Sequence, residues 1–409
     1  IKTLKEIKTL KNKRVLLRCD FNVPLRVSRR ANAKPKVMDP AKIESALPTI
    51  QLLQKQGAII IITSHLGRPN SHINGRGGLP SAQVKKELSL FPIADYLSKR
   101  LREEIIFVDN ALDVSFAKHS KNLKPGQIVL LENIRFHPGE EKNSPTFSKK
   151  LASLADIYIN EAFGVDHRDH ASLTGITKFL PSYAGLNLEH EASVLGDVLK
   201  KPDHPALAII GGSKIPTKLQ VVENLARKFN LVVVGGAVAN NFLKAIGYEV
   251  GKSVVDKKYL KQALKLLNHK TLGKKIIIPY DVRVATGIES PRKSTWRQID
   301  QVKKDEYILD VGPRTARLYS KLAHHAKLVV WSGPLGLYEN KHFNRGTYRL
   351  ARALARSRAT SIVGGGETIN VLKRLRLIRK VDFVSTGGGA MLEFLAGNEL
   401  PGLEILSKK

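Results

Sequence analysis

Short runs that are apolar on both faces alternate with segments whose apolar residues recur at three and four spacing, and this alternation extends the length of the chain. The runs cover residues 14–18, 58–63, 105–108, 128–131 and 157–160, then 206–210, 231–234, 275–278, 328–331, 360–363 and 383–385. A strand that is apolar on both faces must be covered on both, and helical stretches such as 41–56 and 218–228 supply the cover. The pattern predicts an α/β protein of two Rossmann-like, doubly wound parallel-sheet lobes.

The stretch "LNLEHEASVLGDVLKKPDHP" (186–205) reads as one helix ending at a proline-containing turn before a fresh strand. The expected organisation is a first lobe over 1–187, a connecting helix and hinge over 188–204 and a second lobe over 205–392, with a hinged cleft between the lobes. Residues 393–409 form a C-terminal segment expected to return to the first lobe. "VSRRANAKPKVMDP" (27–40) and "PNSHINGRGGLPS" (69–81) read as long surface loops.

A chain of 409 residues with 42% hydrophobic residues can bury two cores, and its apolar runs are far too short to span a bilayer. No membrane partner is expected. The first residues, "IKTLKEIKTLKNK", have no apolar core and no small-residue cleavage site, so a secretory signal is not expected. The single cysteine, Cys19, excludes an internal disulfide framework, fits a cytoplasmic location and reads as a small buried apolar residue. The net charge of +32 divides into about +13 over residues 1–187 and about +19 over the rest, so it is not a basic tail. Such a field attracts polyanions or small phosphorylated substrates. At 6% aromatic content and without an RNP-like motif, nucleic acid is not expected as the main partner.

In doubly wound sheets ligands sit beyond the carboxyl ends of the strands. In the first half those positions hold Asp20 and Asn22 ("RCDFNVPL"), His65 and Arg68 ("TSHLGRP"), Arg135 ("LLENIRF") and His167, Arg168 and His170 ("FGVDHRDHAS"). Arginine forks suit phosphate or carboxylate oxygens, so this lobe reads as an anion site. In the second half the same positions hold glycine, in "IIGGSKIPTK", "VVGGAVANNF", "DVGPRT", "WSGPLGLYE", "IVGGGETI" and "STGGGAMLEF". Glycine lets a backbone approach a ligand closely, and the following helix N-terminus favours phosphate. Neither a GxGxxG nor a GxxxxGK[ST] motif occurs in this half, so a nucleotide site here is neither an ordinary Rossmann nor a Walker site.

Taken together, "VLLRCDFNVPL", "SHLGRP", "LLENIRF", "EAFGVDHRDHAS", "GGSKIPTKL", "WSGPLGLYE", "GGGET" and "STGGGA", in this order, resemble phosphoglycerate kinase over nearly the whole chain. The resemblance implies a cytoplasmic monomer that transfers a phosphoryl group reversibly between 1,3-bisphosphoglycerate and ADP, giving 3-phosphoglycerate and ATP with Mg2+. It further implies that Asp20, Phe21, Asn22, Lys42, His65, Leu66, Gly67, Arg68, Arg135 and Arg168 form the 3-phosphoglycerate site. Lys214, Lys218, Gly235, Gly236, Gly312, Pro334, Glu339, Gly365, Gly366, Glu367 and Thr368 are implied for the nucleotide, with Glu367 on the metal. Lys42, Lys214, Gly387 and Gly388 are implied to act on the moving group. Several positions depart from the family's common pattern: Lys42 stands for an arginine, Glu367 for an aspartate, Ser332 for an asparagine, and Pro216 and Thr217 for serine and aspartate. Two other readings stay open: an inactive member that binds polyanions such as RNA, and a different two-lobed phosphotransferase.

Overall fold

The structure is a computed structural model that describes residues 1–26, 35–69, 81–109, 116, 120–289 and 294–407. Of the expected surface loops, residues 27–34 and 70–80 lie outside the described residues, and within the first of them Lys36–Val37 form a short strand instead. Among the described residues seventeen strands are named β1 to β17 in chain order. The first sheet holds six parallel strands: β1 (Arg14–Arg18), β4 (Ile59–Thr63), β5 (Ile105–Val108), β6 (Ile128–Leu131), β7 (Ile157–Asn160) and β8 (Ser182–Ala184), in the order β5-β6-β4-β1-β7-β8. A short hairpin of β2 (Leu25–Arg26) and β3 (Lys36–Val37) stands apart from it.

Alternation along each strand feeds two cores. Val15, Leu17, Ile60, Ile62 and Ile159 pack with Ile43, Leu47 and Ile50 of the helix Ala41–Lys55 on one face. Leu16, Ile61, Val129, Leu131 and Tyr158 pack with Phe147 and Leu151 of the helix Pro145–Ala152 on the other. Successive side chains point to opposite faces, so a strand covered twice must be apolar throughout, as the sequence pattern required.

The second sheet repeats the design with β9 (Ala206–Ile210), β10 (Leu231–Val234), β11 (Ile276–Ile277), β15 (Leu328–Ser332), β16 (Thr360–Gly364) and β17 (Phe383–Ser385), all parallel in the order β11-β10-β9-β15-β16-β17. A three-stranded antiparallel sheet, β13-β12-β14, is added by β12 (Asp281–Ala285), β13 (Thr295–Gln298) and β14 (Tyr307–Val311). The parallel-sheet class matches the expectation; this antiparallel addition was not foreseen. It alternates polar and apolar residues in "DVRVA", with Asp281, Val282, Val284 and Ala285 buried and Arg283 half-buried.

The chain divides into two compact units, residues 1–193 with 399–409, and residues 194–398. The dividing point falls inside the helix Leu186–Lys200. Within the first unit the C-terminal segment is bound through Lys2 N–H donating to the Leu406 carbonyl at 2.7 Å and Gly402 N–H donating to the Asp166 carbonyl at 2.9 Å. Among the described residues no helix is long and apolar enough to cross a membrane.

Candidate functional site

In the first unit the loops after β6, β4, β1 and β7 meet because those strands are neighbours in the sheet. Asp20, at the end of β1, accepts from Lys42 Nζ at 2.5 Å, and His65 Nε2 lies 3.9 Å from its other oxygen. Lys42 comes from the first turn of the helix Ala41–Lys55. The Gly67 N–H donates to Asn22 Oδ1 at 3.0 Å, and Phe21 N–H donates to Ser64 Oγ at 2.8 Å, so the β1 and β4 loops are fastened to each other. Phe21 and Leu66 are themselves buried, which suits positioning rather than contact. Arg135 Nη1 donates to the Gly67 carbonyl at 2.7 Å, and its Nε lies 3.4 Å from Glu141. Arg68 and Arg168 are exposed, His167 is half-buried, and His170 is buried 3.7 Å from Glu140.

Beneath these loops lies a residue that sequence reasoning missed. Arg18, the last residue of β1, is fully buried; its Nε donates to Ser172 Oγ at 2.8 Å, its Nη1 donates to the Cys19 carbonyl, and its Nη2 sits 3.3 Å from His65 Nδ1. The signal was present, since one arginine closes an otherwise apolar run in "VLLR". Burial, then the charges of Arg18, Arg135 and Lys42, hold His65 well below its ordinary pKa. Burial, then Arg135 and Arg18, take His170 down to about 4. Both rings are therefore neutral at pH 7 and offer hydrogen bonds, while the arginines and Lys42 supply charge. Arg135 is itself lowered to about 10 by burial and then Arg18, which leaves it charged. Asp20, set among several cations and neutral imidazoles, can help orient a small polyanion that also bears a hydroxyl.

In the second unit the turns after β9, β10, β15 and β16 surround a cavity of about 230 Å³, lined in part by Gly212, Gly236, Leu309, Pro334, Glu339 and Glu367. Gly212 has φ +79°, and a β-carbon there would lie 2.6 Å from Lys218 Nζ and 3.3 Å from Glu367 Oε2. A bare glycine leaves the lysine and the carboxylate facing one small space. Lys218 is buried, its Nζ donates to the Gly211 carbonyl, and its pKa falls to about 8 through burial, against the raising effect of Glu367. Lys214 is exposed immediately before the helix Ile215–Lys228.

Other expected residues act on the turns themselves. A β-carbon at Gly235 would meet the Leu335 side chain at 2.5 Å, and one at Gly312 would meet the Asp281 carboxyl carbon at 2.1 Å, so packing demands both glycines. Thr368 Oγ1 accepts from Gly333 N–H at 2.7 Å, fastening the β15 turn to the helix Gly366–Arg374. Gly365 has φ +90° and precedes that helix, whose first turn carries the exposed Glu367. Gly387 N–H donates to Ser385 Oγ at 3.1 Å, and Gly388, φ +50°, leads into the helix Gly389–Leu395. Missed from the sequence were Val282, Leu309 and Asn240 of the cavity wall, two of them on the unforeseen antiparallel sheet. No group of three or more His, Cys, Asp or Glu side chains able to hold a metal ion occurs among the described residues.

Comparison with known proteins gives one consistent result. A family model described as phosphoglycerate kinase matches residues 4–398. The phosphoglycerate kinase of Moorella thermoacetica is 42% identical over 408 residues, covering 100% of this chain and 99% of the relative; that of Borreliella afzelii is 39% identical over 411 residues, covering 100% of both. Among solved structures, phosphoglycerate kinase from Coxiella burnetii aligns with TM-score 0.82 at 39% identity, over 99% of this chain and 98% of that one. The enzyme from Pyrococcus horikoshii OT3 aligns with TM-score 0.83 at 30% identity over the same shares.

Proposed function

The chain belongs to the phosphoglycerate kinase family, and from that membership we propose how its residues divide the family's reaction, the reversible phosphoryl transfer between 1,3-bisphosphoglycerate and ADP. The enzyme is a kinase that yields 3-phosphoglycerate and ATP. In our reading the first unit binds the glycerate substrate. Arg68, Arg135 and Arg168 take its anionic oxygens, neutral His65 adds a hydrogen bond, and Asp20 and Asn22 engage the hydroxyl and carboxylate ends. Lys42 stands beside Asp20 and neutralises charge near the transferring group. The observation that carries this assignment is the Lys42–Asp20–His65 cluster at adjacent strand ends, with burial and then Arg18 keeping His65 neutral.

The second unit binds the nucleotide. Glu339 contacts the ribose, Pro334 and Gly236 wall the base, with Gly235 and Gly312 shaping the turns behind them, and Lys214 and Lys218 face the phosphates. An anionic phosphate beside Lys218 raises its proton affinity, so binding keeps it charged. Magnesium, when bound, offsets the charge of the nucleotide phosphates. Glu367 suits that ion, because magnesium needs only one or two carboxylates and completes its shell with phosphate oxygens and water. The turns at Gly365, Gly366 and Thr368 hold Glu367 in place, and the Gly387–Gly388 turn offers backbone N–H groups to the moving group. Transfer needs alignment and charge neutralisation more than covalent help. Because the substrates are assigned to different units, turnover requires the chain to bring them together, with the helix Leu186–Lys200 joining the units. The same reading takes the enzyme to be a cytoplasmic monomer. Purified protein given MgATP is expected to form ADP only when 3-phosphoglycerate is present; turnover without that acceptor, or none with it, overturns the reading.

A further inference from the structure

Six of the basic residues of the second half share one surface. The helices Pro313–His325 and Arg345–Leu354 pack side by side over one face of the second sheet. The first turns Ala316, Tyr319 and Ala323 inward, and the second turns Leu350, Ala351 and Leu354 inward. Their outer sides carry Arg314, Arg317 and Lys321 on one helix and Arg345, Arg349 and Arg352 on the other, all exposed. Spacings of three and four residues set each trio in a stripe.

The carboxylates nearest in space, Asp281 and Asp310, are buried and cap the N-termini of these helices through backbone N–H groups of Arg314 and Gly346, and the outer surface has few acids along the chain. Residues 311–338 and 340–366 contain no aspartate or glutamate. Among the described residues none of the six side chains forms an ion pair with a carboxylate. Arg352 lies over the Tyr348 ring, 5.9 Å from its centroid, and the two adjacent stripes of cations, without carboxylate partners, repel one another, a repulsion that a polyanion relieves. Five of the six are arginine, whose planar fork matches two phosphate oxygens where lysine offers a point charge.

Two anionic surfaces have this chemistry, and the structure distinguishes them. A helix that docks on a membrane needs apolar side chains to enter the acyl boundary. The large exposed apolar side chains of the described protein all lie outside residues 311–382. A sugar-phosphate backbone needs no such anchor, because cations replacing its counterions supply the affinity. We propose that this arginine face binds the backbone of a nucleic acid without reading its sequence. The proposal rests on surface charge and is independent of the assigned substrate sites.

The test uses the full chain and fluorescein-labelled poly(U) RNA, with anisotropy read across a salt series. Duplex DNA is a second arm that separates the two nucleic acids. The face variant is Arg317→Gln/Lys321→Gln/Arg349→Gln/Arg352→Gln; the control, Lys8→Gln/Lys11→Gln/Lys55→Gln/Lys150→Gln, removes equal charge from exposed positions of the other unit. Each phosphate contact on a single strand adds about 0.7 to the salt slope, so the face variant should lose about 3 from that slope and at least about 10-fold in affinity, while the control stays within about 2-fold. Retained phosphoryl transfer in both variants shows that they are folded. Absence of RNA binding, an equal loss in the control, or tighter binding to phosphatidylserine vesicles than to RNA overturns the proposal.

Discussion

Lys42 and Glu367 are the departures from the family pattern that stand nearest the chemistry. Lys42 donates to Asp20 at 2.5 Å through a side chain that is 30% exposed, so one ammonium must hold Asp20 and face the substrate. An ammonium lacks the two-pronged geometry of a guanidinium. We expect Lys42→Ala to lower kcat by about 100-fold, the scale of losing one preorganised charge donor, and Lys42→Arg to match or exceed the wild type. An alanine variant with normal kcat in steady-state assays refutes the role. For Glu367, the carboxylate shares its space with Lys218 across Gly212. Glu367→Gln should therefore raise KM for MgADP far more than it weakens 3-phosphoglycerate binding, and Glu367→Asp should keep substantial activity. Magnesium titration of KM beside calorimetry of 3-phosphoglycerate separates the two effects. An unchanged magnesium dependence in Glu367→Gln would show that the metal carboxylate lies elsewhere.

At the scale of elements, function is carried by turns whose backbones allow little variation. The β9 turn is one such case, because Gly212 combines φ +79° with close approach to Lys218. Gly212→Ala should cost about 1–2 kcal/mol for the left-handed backbone alone. It should also displace the lysine ammonium and raise KM for the nucleotide, read by urea titration and steady-state kinetics. Unchanged values in both would mean that the turn relaxes freely. A second element, the C-terminal segment, docks on Asp166 through Gly402. Asp166 is buried with one carboxylate oxygen unpartnered, and burial raises its pKa to about 8 against the lowering effects of Asn160 and Arg18. Because the folded pKa exceeds the unfolded value of about 3.9, the folded state holds a proton that the unfolded state releases, and stability falls as pH rises toward and through 8. Asp166→Asn should therefore lose less stability than the wild type between about pH 7 and about pH 9, by on the order of 1 kcal/mol. Identical urea-titration curves across that range would exclude Asp166 as the titrating group.

On the whole-molecule scale the charge of +32 acts on anionic substrates before they bind. Screening over about 8 Å at physiological salt weakens long-range attraction more than bound contacts. KM for 3-phosphoglycerate and for the nucleotide should thus rise with ionic strength while kcat changes little. A salt-insensitive KM would leave the charge to other partners, the arginine face among them.

The sequence by itself determined eleven of the twelve strands of the two parallel sheets, because a strand covered on both faces is apolar along most of its length, and β1, β5, β6, β7, β9, β10 and β17 begin and end where the apolar runs do; the short edge strand β8, "SYA", carries no such run. It also determined which residues stand at strand ends, since loops follow apolar runs directly. Only the tertiary structure decided which of those ends are neighbours: β1 pairs with β4 and β7, far away in sequence, and that order gathers Asp20, His65 and Arg135 in one place. Arg18 was legible as an oddity and not as a function, because its effect on His65 arises from distance and burial. The antiparallel sheet behind the cavity was missed because its strands mix charged and apolar residues, as in "DVRVA", and such short mixed runs are weaker signals than continuous apolar ones. Residue type marks the end of a strand; charge, burial and proximity, which act through space, decide what that end can do.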